Sequence, residues 1–132
     1  MMKSRELLYL ESELTSLCGR KVSLTQSQPE TLRLVLEPVG DRGRLELFAF
    51  VANNKWTVSD RGVNAETYGA QLAFIVDKLN EFGTPVLHDG DALVADTRDL
   101  SFVESVAQFV SNMEFIPVLA GLWAEEPATA AA

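Results

Sequence analysis

The chain predicts an α+β fold: an antiparallel sheet with helices packed on it, in the order α-β-β-β-β-α-β-β-α. Three observations predict it. Residues 3–18 carry apolar side chains at helical spacing. Residues 45–59, LELFAFVANNKWTVS, alternate, turn on two asparagines and alternate again. A second, shorter hairpin signal at Asp89-Gly90 lies between two further helical stripes. The 132 residues suit one domain. That domain is placed at 1–123, with 124–132, AEEPATAAA, as a disordered tail.

Each element has its own warrant. In the first helix Leu7, Leu10, Leu14 and Leu17 form one stripe, and Gly19 can end it. Strands are expected at Lys21–Gln26 and Thr31–Glu37, where Leu32, Leu34 and Leu36 alternate between Pro29 and Pro38. In the long hairpin, Asn53-Asn54 tolerates positive φ at both turn positions. That loop pairs Val51 with Trp56 and Ala49 with Val58. Leu45, Leu47, Ala49, Val51, Trp56 and Val58 then share the core face. Glu46, Phe48, Phe50, Lys55, Thr57 and Ser59 share the other. Two phenylalanines there require a cover, from a helix of this chain or from another chain.

Asn64 is the expected N-cap of the middle helix, with Val63 and Tyr68 at staple positions. Its stripe is Tyr68, Leu72, Ile75, Val76 and Leu79, closed by Gly83 and Pro85. The short hairpin runs from Val86 to Asp96, turning on Asp89-Gly90. Ser101 and Glu104 have capping-box spacing for the last helix, with Asp99 as the other possible cap. There Phe102, Val106, Phe109, Met113 and Ile116 form one stripe. Val103, Ala107 and Val110 widen it beyond what one sheet face needs. Pro117 is expected to kink or end that helix.

Composition narrows the function classes. No apolar run approaches the ~20 residues that span a membrane. The opening MMKSRELLYLESEL is charged, unlike a secretory signal. The one cysteine, Cys18, reads as a buried thiol, which points to a cytoplasmic setting. The net charge is −8. Residues 1–44 hold seven Lys/Arg against six Asp/Glu, and residues 45–132 hold four against thirteen, a net of −9. That excess argues against direct nucleic-acid binding, which relies on clustered Lys and Arg.

No catalytic constellation stands out, and no cofactor is expected. The one histidine, His88, abuts a turn without a nucleophile elbow nearby. One Cys and one His far apart make no zinc site. No glycine-rich phosphate loop is present in the sequence. The carboxylates are the remaining candidates. Asp60, Asp89, Asp91 and Asp96 would bind a divalent cation if the two hairpins converged, as a metal-dependent hydrolase needs. Against this, Asp60 followed by Gly62 reads as an Asx-turn with an unusual φ at the glycine.

Trp56-Thr-Val-Ser-Asp60-Arg-Gly62, an amphipathic helix, Phe82-Gly83, Asp89-Gly90-Asp91-Ala-Leu-Val94 and a closing helix carry a resemblance. Over residues 30–122 the chain resembles an uncharacterised bacterial and prophage domain family. That resemblance implies a phage-associated setting and no assigned activity. In element order alone the chain is similar to the acidic chaperones of type III secretion. Those are homodimers that bind an extended segment of a partner; four strands before the middle helix depart from them.

The expected function is therefore a non-enzymatic protein-binding module that inhibits or escorts another protein, an anti-defence factor such as an anti-CRISPR among the cases, and a homodimer. Its candidate contact surface is Phe48, Phe50, Thr57, Asp60, Phe109 and Met113. Asp89, Asp91, Asp96 and Asp99 form a candidate acidic patch. An acidic nucleic-acid mimic and the metal-dependent hydrolase are the alternatives.

Overall fold

A computed structural model describes residues 4–82, 86–96 and 100–124. Helix α1 (Ser4–Cys18) leads into strands β1 (Val22–Gln28), β2 (Thr31–Leu36), β3 (Leu45–Ala52) and β4 (Lys55–Ser59). Helix α2 (Val63–Tyr68), a 3₁₀ turn over Gly69–Gln71 and helix α3 (Leu72–Glu81) follow. Strands β5 (Val86–Asp89) and β6 (Ala92–Ala95) precede helix α4 (Phe102–Ala124). The fold is α+β as expected, with helices packed on a six-stranded antiparallel sheet of order β1-β2-β3-β4-β6-β5.

The long hairpin has the expected register. Val51 faces Trp56 and Ala49 faces Val58, and both asparagines adopt positive φ, 54° at Asn53 and 62° at Asn54. A two-residue loop with positive φ at both positions twists with the strands, so the pairing is set locally. The short hairpin is offset by one residue. Asp89 pairs with Ala92, so the loop is Gly90-Asp91, with Gly90 at φ 64° in the position that demands glycine.

The inner face of the sheet holds the core. Leu32, Leu34, Leu36, Leu47, Ala49, Val58 and Leu93 are fully buried there. Leu14 of α1, Ile75 and Leu79 of α3, and Val106, Phe109, Ile116 and Leu119 of α4 close over them. Ala65 and Tyr68 bring α2 to the same cluster. α4 packs against α1 and α3 as well as β4 and β6, which accounts for its wide apolar stripe. Residues 102–122 are long and apolar enough to cross a bilayer by length and composition, contrary to the reading of the sequence. Burial in this core accounts for part of that apolarity; Phe115, Val118 and Leu122 of the same helix are exposed.

Local departures have physical reasons. The α1 stripe closes on Cys18, one turn beyond Leu14, while Leu17 is exposed at the flank. The middle helix breaks at Gly69, whose φ of 52° lies outside the helical region. α4 runs through Pro117 to Ala124. Burial of Ile116 and Leu119 on either side outweighs the roughly 3 kcal/mol a proline costs in a helix. Its start is the expected capping box: the Glu104 N–H donates to Ser101 Oγ (3.2 Å) and the Ser101 N–H to Glu104 Oε1 (3.4 Å). Gly83, Pro85, Asp99 and the tail from Glu125 lie outside the described residues.

One sheet edge is closed by α1. The Val22 N–H donates to Thr15 Oγ1 (3.1 Å) and the Leu24 N–H to Glu11 Oε2 (2.7 Å). Those side chains occupy donors that an edge strand otherwise offers to another chain.

Candidate functional site

The opposite, outer face of the sheet is the candidate. Register places Val35 and Arg33 of β2, Glu46, Phe48 and Phe50 of β3, Thr57 and Ser59 of β4, Val94 of β6 and Leu87 of β5 on it. The apolar side chains among them, Val35, Phe48, Phe50, Val94 and Leu87, are not part of the core cluster. Among the described residues, all four helices sit on the inner face, so no helix of this chain covers Phe48 and Phe50. Both rings are half-buried, and Leu87 is 50% exposed. Thr57 and Ser59 lie buried as short side chains between taller neighbours. The Thr57 hydroxyl donates to the Ala95 carbonyl (3.5 Å), and Ser59 Oγ accepts from the Arg61 N–H (3.0 Å).

Basic side chains rim this apolar centre. Arg33 grips Glu46 through Nε (2.9 Å) and Nη2 (3.0 Å), and Arg44 reaches the same carboxylate at 3.3 Å. The Arg33 hydrogen bond is the largest cause holding the Glu46 carboxyl below its usual value, with the charges of both guanidiniums behind it. Arg61, at φ 54°, folds its guanidinium over the Phe48 ring, 4.0 Å from the centroid. The sequence reading missed Arg61. It lies past the end of β4 in a turn at positive φ, where strand alternation no longer assigns a face.

Asp60 is no part of that surface. It is 2% exposed and points inward. Its Oδ1 accepts from the N–H groups of Gly62 (2.8 Å) and Leu93 (2.8 Å). Its Oδ2 accepts from Asn64 Nδ2 (2.7 Å) and the Asn64 N–H (3.3 Å). One carboxylate thus ties β4, β6 and the first turn of α2 together, and Gly62 completes the turn at φ 83°. The Asx-turn reading stands, and the helix starts at Val63, so Asn64 serves it from within the first turn rather than as N-cap. A cavity of about 250 Å³ reaches Asp60, but all four donors already fill the carboxylate.

Phe109 and Met113 are corrections to the expected contact surface. They are 1% and 4% exposed and belong to the core, because α1 and α3 take up the flanks of α4 that a single sheet face would leave open. In the acidic patch, Asp89 and Asp91 are exposed at the short hairpin, Asp96 is half-buried, and Asp99 lies outside the described residues. The hairpins do meet: the Asp60 N–H donates to the Leu93 carbonyl (3.1 Å). Yet among the described residues no three His, Cys, Asp or Glu side chains are placed to hold a metal ion. The hydrolase alternative is left without its ligand set.

A cleft of about 560 Å³ lies between the β2–β3 connection and α4, lined by Arg20, Arg42, Arg44 and Glu114 among others. Its charges are already engaged. The Arg20 side chain, 1% exposed, donates to Glu114 (3.0 Å), the Leu36 carbonyl (3.2 Å) and the Gly43 carbonyl. Arg42 donates to the same Glu114 oxygen and to the Cys18 carbonyl (2.9 Å). This network clamps the end of α1, the β2–β3 connection and α4. Burial pushes the Cys18 thiol up, and the Glu114 charge adds to it against the two arginines, which favours the protonated thiol.

No family model, curated protein or solved structure matches the chain.

Proposed function

We propose that this chain is a non-enzymatic protein-binding module that acts by occupying another protein through the outer face of its sheet, inhibiting or escorting it. A bacterial cytoplasm under phage or prophage influence is the proposed setting, with an anti-defence role of the anti-CRISPR kind. The setting rests on the Val58-Ser-Asp-Arg-Gly62 resemblance. The contact surface rests on one observation: an apolar, aromatic sheet face that, among the described residues, the helices leave open while they cover the other. Soluble sheets bury such faces or use them. Saturation of Asp60 by four donors supports the non-enzymatic reading.

Self-association is part of the proposal. Phe82 and Phe115 meet edge-on (5.7 Å between centroids) beside Val118 and Leu122, all exposed, and this strip supports a homodimer. Light scattering at micromolar concentration reads the mass, and a strict monomer removes that part.

Affinity capture from a bacterial host lysate, read by mass spectrometry, tests the contact surface. Wild-type chain and a Phe50→Asp variant are compared. The reading expects a partner that Phe50→Asp loses and that purified components reconstitute. A partner held equally by both chains overturns it.

A further inference from the structure

We infer that the occupant of the outer face is an acidic amphipathic helix of another protein, its apolar stripe on Phe50 and Val94 and its carboxylates at Arg33, Arg44 and Arg61. The inference rests on the reading of this face as the contact surface. The charge pattern carries it. The chain as a whole has a net charge of −8, so an average patch of its surface is acidic. Here one carboxylate, Glu46, is shared by two guanidiniums, and a third guanidinium, that of Arg61, lies on an aromatic ring. Arg33, Arg44 and Arg61 against Glu46 therefore leave two positive charges in excess around an apolar centre, and Lys55 at the end of β4 lies on the same face. Complementary potential selects a negative partner and suppresses positive ones.

Geometry favours a helix. A helix about 10 Å across covers two to three strands spaced about 4.8 Å apart. Seated over β3, β4 and β6, it meets Phe50 and Val94, with Arg61 lying on Phe48 beside it, and leaves its flank beside Arg33 and Arg44 on β2 and its connection. The same chain covers its inner face with helices.

Two other occupants fit less well. A second copy brings another net charge of −8, and its own outer-face strands offer Asp89 as a carboxylate beyond the shared Glu46. It leaves the excess arginine charge unmatched. Single-stranded nucleic acid matches the arginines, but base stacking needs open ring faces. Arg61 occupies that of Phe48, and the Thr57 and Ser59 hydroxyls already have partners.

The test titrates isotope-labelled full chain with a synthetic helical peptide of about 18 residues, its Leu stripe flanked by Glu, and with a copy carrying Lys for each Glu. NMR shifts are expected at Phe48, Phe50, Ser59 and Arg61 with the Glu peptide and not with the Lys peptide. Affinity is expected to fall about tenfold between about 50 and about 500 mM salt. Arg33→Glu combined with Arg61→Glu, checked for an unchanged fold by circular dichroism, is expected to weaken binding at least about tenfold. Equal binding of both peptides, no binding of either, tighter binding of oligo(dT) at the same residues, or a dimer that buries this face each overturns the inference. The two levels separate in the lysate capture. A partner lost by Phe50→Asp but kept by the double charge reversal refutes the acidic helix and leaves the contact surface standing. A partner kept by Phe50→Asp removes the contact surface itself.

Discussion

The two faces of the sheet are built from the same strands, residue by alternate residue, and they have opposite chemistry. Leu32, Leu34, Leu36, Leu47, Ala49 and Val58 point inward and are sealed by four helices. Arg33, Val35, Glu46, Phe48, Phe50, Thr57 and Ser59 point outward and meet no helix among the described residues. The inner face is aliphatic, uncharged and closely packed. The outer face mixes aromatic rings, hydroxyls and ion pairs. A surface selected for solubility alone has no use for Phe48 and Phe50 there, and one selected for core packing has no use for Arg33 and Glu46. The outer face is the proposed interface, and the core lies on the other side.

That division is open to breakage by substitution. Phe109→Ala on the inner side is expected to cost about 3–5 kcal/mol, because a large ring leaves a cavity the surrounding helices only partly fill. A urea midpoint measured against wild type reads the loss, and a cost under ~1 kcal/mol would place Phe109 outside the core. Asp60→Ala comes next, at roughly 2–4 kcal/mol, since several donors lose their acceptor in a buried site. The same denaturation series checks it, and β6 amides near Leu93 should lose hydrogen-exchange protection first.

Gly62→Ala forces a side chain into a left-handed conformation at φ 83°, with an expected cost of about 1 kcal/mol. A fall in thermal midpoint of several degrees reads it. On the outer face, Phe50→Ser is expected to cost about 1 kcal/mol, well below Phe109→Ala, since its ring is partly exposed and lies outside the core cluster. Its effect belongs in partner capture instead. If Phe50→Ser unfolds the chain as readily as Phe109→Ala, the two faces do not divide stability from binding.

The Arg33–Glu46 pair gives the smallest effect. The Glu46 carboxyl is held below its ordinary value of 4.5 in the folded chain. A depressed folded value means the contribution is present above that ordinary value and is lost as pH falls through the folded one. Stability of wild type relative to Glu46→Gln should therefore show a small advantage at neutral pH that disappears as pH falls through the depressed folded value, read as urea midpoints of the two chains across the acid range.

Much of this was legible in the sequence, for local reasons. The pairing of Val51 with Trp56 followed from two asparagines and strict alternation, and the Ser101–Glu104 box followed from spacing alone. The Asx-turn at Asp60 was also readable, because Gly62 lies two residues on. Less local features were not. Phe109 and Met113 looked like surplus apolar surface because one sheet face cannot use a stripe that wide. They are core because α1 and α3 flank α4, a fact of packing between elements far apart in the chain. The Leu93 N–H that completes the Asp60 site arrives from a strand 33 residues away.

The sequence by itself determined the order of strands and helices, the register of the long hairpin and which residues share each of its faces, since those depend on side-chain periodicity and turn chemistry within a few residues; the short hairpin turned one residue later than its Asp-Gly signal. The tertiary structure decided which face the helices cover. It also decided that Asp60 is a buried tie and that Arg61 lies on Phe48. Those outcomes depend on long-range burial, where removing apolar surface from water selects one packing among several that the local pattern permits.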